Sequence, residues 1–134
     1  MPMPQITALY AALLGLLTLF LAVRVVRGRW TNRIGLGDGG KSDMTRRIRV
    51  HGNLVETVPI ALILLLVLEL TNVGATWLHG FGIALVVGRV LHAWGLSRHD
   101  GTSFGRMVGT VLTFGAIAVM CVLLLYRWFL LQTI

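Results

Sequence analysis

The sequence predicts an all-α integral membrane protein, built as a bundle of four transmembrane helices. Of its 134 residues, 56% are hydrophobic and only 13% are charged, whereas soluble domains average about 45–50% apolar and about 25% charged residues. The mean hydropathy is +0.82. The apolar residues also form blocks of roughly 20 residues, the length that a helix needs to cross a hydrocarbon layer of about 30 Å. The chain has room for four such blocks and little else.

These blocks place the four spans at about residues 6–26, 46–70, 75–96 and 104–129. The first block ends at the basic segment that begins with Arg24, and Asn72 and Gly74 end the second block. Polar loops are predicted at about residues 28–45 and 97–103. The whole chain is therefore predicted to be a single transmembrane domain.

Basic residues set the predicted orientation. Eight of the twelve Lys and Arg residues lie between Arg24 and Arg49, and cytoplasmic loops carry an excess of such residues. We therefore predict that both polar loops are cytoplasmic and both termini lie outside, in the inner membrane if the chain is bacterial. Arg127, at the end of the fourth span, is an exception to this pattern, because it is a basic residue on the predicted outer side. We expect no nucleic-acid partner for the net charge of +7, because such partners need basic residues on a water-facing surface.

A glycine-rich segment, GLGDGGKS at residues 35–42, matches the patterns of a phosphate-binding loop and of a dinucleotide-binding turn. Both patterns require a preceding strand and a parallel sheet. Here the basic end of a predicted helix precedes the glycines, so we interpret the segment as a tight turn. The lone cysteine, Cys121, lies in an apolar run and is expected to be an inert packing residue.

Ionisable residues inside the predicted spans mark a candidate site. Arg49, Asn53 and Glu56 follow the spacing i, i+4, i+7 on the second helix and so share one face of it. Arg89 and His92 are three residues apart on the third helix. Charges within spans are costly and tend to face a bundle interior or a cavity. The residues themselves allow two interpretations, a polar ligand site or a set of interhelical ion pairs.

The residue types in this group suit a small zwitterionic ligand. Arginines hold carboxylates through paired charge-assisted hydrogen bonds, a glutamate holds an ammonium group, and an asparagine both donates and accepts. A thiol beside an arginine would also ionise more readily. We expect no metal, because His51 and His92 lie on separate helices without a cluster of cysteines or carboxylates.

The segment RVHGNLVETVP, at residues 49–59, resembles the second-helix signature of MAPEG, the membrane-associated proteins in eicosanoid and glutathione metabolism. Within that family it is similar to the microsomal glutathione transferase and prostaglandin E synthase branches, as is RVLH at residues 89–92. The likeness extends from the first helix to about Gly109. It implies homotrimers of four-helix subunits, with glutathione bound between neighbouring subunits near the cytoplasmic face.

The resemblance also implies roles for individual residues. Arg106 corresponds in approximate position to the arginine that stabilises the glutathione thiolate, with Arg98 as the weaker candidate. His51 is expected to reach glutathione from the adjacent subunit. Contact with glutathione is implied for Arg29, Arg49, His51, Asn53, Glu56, Arg89 and His92. The implied reaction is transfer from glutathione, as co-substrate, to a lipophilic electrophile or hydroperoxide that enters from the membrane lipid.

Two other functions stay open at this point. Thr57, His92 and Leu96 stand at or near positions where several glutathione-using members have tyrosines, which favours a non-catalytic lipid-binding or scaffolding protein. The third interpretation is a small transporter that uses Glu56 as its ion-coupling carboxylate. Glu56 lies about two turns inside its predicted helix, nearer the interface than the midplane sites of transporters.

Overall fold

Four long helices make up the described part of the chain. The computed structural model describes residues 3–98 and 103–132, with side chains as far as Leu130. The helices are α1 (Gln5–Asn32), α2 (Ser42–Leu70), α3 (Ala75–Arg98) and α4 (Phe104–Gln132). Each is long and apolar enough to cross a membrane, which confirms the predicted fold class. Residues 99–102 of the predicted second loop lie outside the described residues, and the predicted orientation stays a prediction.

The first loop is shorter than the predicted range of 28–45, because α1 continues to Asn32 and α2 begins at Ser42. Hydropathy marks the stretch that crosses hydrocarbon, whereas helical hydrogen bonding continues into the polar region beyond it. The helix α1 ends where Arg33 adopts a left-handed conformation with a φ of 55°. The backbone N–H of Ile34 then donates to the carbonyl of Arg29 at 2.9 Å, a common way to end a helix.

The helices alternate in direction, so the bundle has two distinct ends. We call the end with the α1–α2 loop the loop end, and the end with the α2–α3 turn the termini end. The helix α1 packs on α2 and α3, and α4 packs on α3 and α2, while α1 and α4 do not touch within the described residues. In the most apolar window of α3, 50% of residues are buried, against 22% for α1 and for α4. The apolar outer faces of α1 and α4 are therefore left to lipid.

Small residues bring α3 and α4 together. A Cβ atom built on Gly88 would lie 2.8 Å from Thr113 Oγ1, and one built on Gly109 would lie 2.6 Å from the backbone nitrogen of His92. Both distances are too short for a real Cβ atom. The close approach of the two backbones therefore depends on glycine at both positions, as in other membrane helix pairs.

A buried arginine joins α2 to α3. Arg89 is only 2% exposed. Its Nη1 atom donates to Asn53 Oδ1 at 2.7 Å and to Thr57 Oγ1 at 3.0 Å. Asn53 and Thr57 are four residues apart, so both acceptors lie on one face of α2. Arg89 and Asn53 are both predicted from the sequence to contact a ligand, and within this subunit they also bind each other.

The termini end is joined by contacts of a different kind. The start of α1 has no side-chain cap of its own. Instead, the carboxylate of Glu69, at the end of α2, accepts hydrogen bonds from the backbone N–H groups of Ile6 at 2.9 Å and Thr7 at 2.7 Å. Nearby, the hydroxyl of Tyr10 lies 2.9 Å from Nδ1 of His79 in α3. The three contacts connect α1 to both central helices.

We expect Gly109→Ala to lower the free energy of unfolding by about 1–3 kcal/mol, because the added methyl group overpacks the contact between α3 and α4. Gly115→Ala, on the same helix, is the control, since its Cβ atom would have no neighbour within 4 Å. Alanine there should leave stability unchanged or raise it by up to about 1 kcal/mol. Unfolding of the purified variants in detergent measures both values, and equal stabilities would contradict the close approach.

Thr57→Val should lower the free energy of unfolding by about 1–3 kcal/mol, because it takes one acceptor away from a buried guanidinium group. Thr18→Val is the control: the hydroxyl of Thr18 donates to the Leu14 carbonyl of its own helix, 2.8 Å away. We expect about 0.5 kcal/mol or less for the control. If thermal unfolding shows the same small loss for both variants, Arg89 does not depend on Thr57.

Candidate functional site

The glycine-rich loop at the loop end is held in a compact conformation by its own hydrogen bonds. The carboxylate of Asp38 accepts hydrogen bonds from Thr45 Oγ1 at 2.6 Å and from the backbone N–H of Gly40 at 2.9 Å. Chiefly the Thr45 hydroxyl, and then the Gly40 N–H, hold the pKa of Asp38 below its usual value. The helix α1 precedes the loop where a nucleotide-binding motif would need a strand. The loop is a turn between two helices, as interpreted from the sequence.

A polar pocket of about 330 Å³ opens beside this loop. Its walls come from the first turns of α2, the last turns of α3 and the start of α4. The described lining residues are Ser42, Thr45, Arg46, Arg49, Asn53, His92, Leu96 and Arg106. The volume is within the range of about 300–1,000 Å³ that is usual for small-molecule sites.

Helical spacing places the basic side chains at this pocket. Arg46, Arg49 and Asn53 follow one another at intervals of three and four residues, so they form a single row along α2. Arg106 belongs to the first turn of α4. The hydroxyl of Ser103 caps that turn by accepting from the backbone N–H of Arg106, although the distance of 3.3 Å is long. The cap fixes the direction in which α4 presents Arg106.

The hydrogen bond from Arg89 determines how Asn53 faces the pocket. Because Asn53 Oδ1 accepts from Arg89, the amide nitrogen is the atom that Asn53 offers to a ligand. From the sequence alone, this amide is predicted both to donate to a ligand and to accept from it. With its oxygen already engaged, Asn53 favours an acceptor group such as a carboxylate or a carbonyl.

Four of the predicted site residues meet in the pocket: Arg49, Asn53, His92 and Arg106. Arg89 lies behind Asn53 and is not among the lining residues.

The other three predicted residues do not line this pocket. Arg29 lines a separate depression with Trp30 and Arg33. Glu56 is exposed on the surface of the subunit and His51 is half-buried, and neither lines the pocket. Because α2 begins at Ser42, Glu56 lies nearly four turns from the start of the helix, rather than the two turns expected.

Four lining residues were absent from the sequence-based set: Ser42, Thr45, Arg46 and Leu96. Arg46 could have been found, since it precedes Arg49 by three residues and therefore shares its face of α2. Ser42 and Thr45 precede Arg49 by seven and four residues, so they too share its face of α2. They were missed because the predicted second span began only at about residue 46, whereas α2 begins at Ser42.

The electrostatics of the pocket favour an anion. Three guanidinium groups line it, from Arg46, Arg49 and Arg106, and the described lining residues include no carboxylate. The first turns of α2 and α4 both contribute to the walls. The N-terminus of a helix carries a partial positive charge and offers backbone N–H groups, so each of these turns adds to the attraction for negative charge.

Arg106 also borders a second depression, which lies along the first turns of α4. This depression has a volume of about 280 Å³ and includes Met107 and Val111, whose side chains are 58% and 65% exposed. Arg106 therefore lies between the polar pocket and an apolar surface. The described residues contain no group of three or more His, Cys, Asp or Glu side chains that could hold a metal ion.

Comparison with known proteins agrees with the four-helix membrane fold. The MAPEG family profile matches residues 7–126. The chain is 40% identical over 117 residues to proteins named inner membrane protein YecN from Escherichia coli strain K12 and from Escherichia coli O6:H1 strain CFT073, covering 87% of this chain and 87% of each relative. The four membrane-spanning helices and these matches together show that the chain is a multi-pass integral membrane protein that belongs to the MAPEG family.

Proposed function

We infer that the protein is a glutathione-dependent membrane transferase or peroxidase, acting on lipophilic electrophiles or hydroperoxides through a thiolate held by Arg106. One observation carries this proposal. Arginines from two helices and the N-terminal turns of the same helices converge on a single pocket, and one of those arginines also borders the lipid face. Membership of the family supports glutathione as the ligand.

The pocket suits the acidic groups of glutathione. The tripeptide carries two carboxylates, which Arg46 and Arg49 hold through charge-assisted hydrogen bonds in this proposal. The amide nitrogen of Asn53 donates to a third acceptor, since its oxygen is engaged by Arg89. The site thus binds the peptide backbone of glutathione along α2 and directs the thiol toward α4.

The thiol of the bound peptide would then lie near Arg106. A positive charge beside a thiol favours the thiolate, and each unit by which the thiol pKa falls below about 8.5 corresponds to about 1.4 kcal/mol. The released proton goes to water. Because the guanidinium group is held in place before the reaction, it stabilises the thiolate without further reorganisation.

A lipophilic substrate reaches the thiolate from the depression beside Met107 and Val111. In the transferase reaction the sulfur forms a bond to an electrophilic carbon, and the displaced electron pair takes a proton from water. In the peroxidase reaction the sulfur attacks one oxygen of a hydroperoxide, the O–O bond breaks and the alkoxide takes a proton. A second glutathione then converts the oxidised sulfur to a disulfide and releases water.

A second copy of the chain completes the proposed site. Arg49 and Glu56 are exposed on the isolated subunit, and a charge facing lipid costs roughly 2.5–3.5 kcal/mol near the middle of a span. A neighbouring subunit in a homotrimer would cover both side chains. Glu56 would then meet the amino group of a glutathione bound between subunits, and His51 and Arg29 would reach it from the same boundary.

A non-catalytic lipid-binding role is the alternative, and one observation favours it. Both tyrosines lie away from the pocket: Tyr10 contacts His79 at the termini end, and Tyr126 lines a groove on α4 near the same end. No phenol is therefore found among the described lining residues of the pocket. The alternative predicts that glutathione neither binds nor reacts.

Glutathione at about 100 times its dissociation constant should raise the free energy of unfolding by about 2.7 kcal/mol. The corresponding diester, which lacks both carboxylates, should give a smaller rise.

Arg49→Gln should weaken glutathione binding by about tenfold or more, since it removes a charge-assisted hydrogen bond. Arg27→Gln is the control, because Arg27 is exposed and does not line the pocket. A thermal-shift titration that shows no effect of glutathione on the wild type would support the alternative.

Arg106→Gln should lower the rate of conjugation of glutathione to a model electrophile by about 100-fold or more, while glutathione binding changes little. The remaining rate should rise with pH toward the ordinary thiol pKa of about 8.5. Steady-state kinetics over a range of pH values measure both effects.

Arg98→Gln serves as the control for the loss of one arginine at the loop end. The guanidinium carbon of Arg98 lies 4.5 Å from the centre of the Trp94 ring, and Arg98 does not line the pocket. Its conjugation rate should match that of the wild type. A wild type that binds glutathione but turns over no electrophile or hydroperoxide would refute the catalytic part of the proposal.

A further inference from the structure

A second large groove lies at the termini end, far from the pocket described above. It has a volume of about 530 Å³ and lies between α3 and α4, against the α2–α3 turn. Its walls include Trp77 and Phe81 of α3 and Val119, Val122 and Arg127 of α4. The proposed glutathione reaction assigns no role to this groove.

The groove changes in character along its length. Arg127 and Tyr126 lie at the end of the groove nearest the termini end of the bundle. Val119 and Phe81 lie farther along the helices, toward the middle of the bundle. Arg127 and Val119 are eight residues apart on α4, which corresponds to roughly 12 Å along the helix axis. Trp77 and Tyr126 are 66% and 59% exposed, and such rings are typical of the boundary between lipid and water. The groove therefore begins at the membrane surface and runs into the hydrocarbon layer.

Arg127 provides positive charge at the outer end of the groove. Its Nη2 atom donates to the backbone carbonyl of Thr71, which holds the side chain over the α2–α3 turn. No acidic residue is among the described residues of the groove wall. The carboxylate of Glu69, which belongs to the same end of the bundle, accepts from the start of α1 instead.

We propose that this groove is a binding site for an anionic phospholipid of the adjoining leaflet. The phosphate of the headgroup contacts Arg127, and one acyl chain lies along Phe81, Val119 and Val122. Charge complementarity identifies the occupant: a basic side chain above an apolar channel matches an anionic headgroup above a hydrocarbon chain. The binding site does not require glutathione, so it exists whether or not the protein is an enzyme.

Native mass spectrometry tests the proposal. Purified protein is incubated with equimolar phosphatidylglycerol and phosphatidylcholine of identical acyl chains, and the retained lipids are counted. One basic side chain near an anionic headgroup corresponds to about a fivefold gain in affinity over a zwitterionic lipid. We expect about that ratio for the wild type, a ratio near one for Arg127→Gln, and a retained preference for Arg127→Lys. Arg98→Gln removes one charge from the loop end, where Arg98 lies over the Trp94 ring and outside the groove, and should keep the wild-type ratio.

Val122→Trp tests the apolar part of the groove independently of the charge. Its larger ring should fill the channel and reduce retention of both lipids. Leu125→Trp is the matched control, since Leu125 is 59% exposed against 66% for Val122 but lies outside the groove. Circular dichroism verifies that each variant keeps its helices, and either substitution decides the question if the other fails to fold.

Three results would overturn the proposal. The wild type could retain both lipids equally, or Arg127→Gln and Val122→Trp could both behave as the wild type does. The third result concerns a different occupant. In a Cys121→Ser background, efficient cross-linking of two copies through Val122→Cys would show that a second subunit fills the groove.

Discussion

A buried guanidinium group ties the two central helices of this bundle together. Arg89 lies in α3 with 2% of its surface exposed, and a cation so placed is tolerated only where acceptors surround it. Asn53 and Thr57 of α2 supply two of them. Both acceptors are neutral, so the contact does not neutralise the positive charge of Arg89. That charge lies directly behind the amide of Asn53, and it fixes the direction in which the amide faces the pocket.

The charged side chains at the two ends of the bundle have different partners. At the loop end, three arginines and two helix N-termini surround one pocket whose described lining residues include no acid. At the termini end, the carboxylate of Glu69 accepts from the start of α1, and Arg127 is held by the carbonyl of Thr71. Several groups thus attract an anion to the loop end, whereas at the termini end Arg127 is the one basic group among the described residues of the groove wall.

The fold was predictable because a membrane leaves few alternatives. A helix satisfies its own backbone hydrogen bonds, and the apolar blocks fix the number of crossings. The signature at residues 49–59 identified the family, and its spacing placed Arg49 and Asn53 on one face of α2. Periodicity gives the face and the depth of a residue, but it does not give its partner. The contact of Arg89 with glutathione stays a prediction, but its hydrogen bond to Asn53 could not be found from the spacing.

Other features of the site depend on information that a single sequence does not contain. Thr45 was missed because hydropathy located the second helix only from about residue 46, whereas α2 begins at Ser42. Glu56 and His51 lie outside the pocket of the subunit, and helical spacing alone does not separate residues that line a pocket from residues that lie beside it. The groove beside Arg127 was visible in the sequence only as one basic residue at an unexpected end.

The way in which α1 begins has a consequence for how the protein is made. The N–H group of Ile6 finds its acceptor in Glu69, which is 63 positions later in the chain. During synthesis the first helix is therefore made before Glu69, whose carboxylate caps its N-terminus, is added to the chain. Only when α2 has been inserted beside it does the carboxylate arrive. Biogenesis of the protein therefore includes a stage in which the first N–H groups of α1 lack their side-chain acceptor, which α2 then supplies.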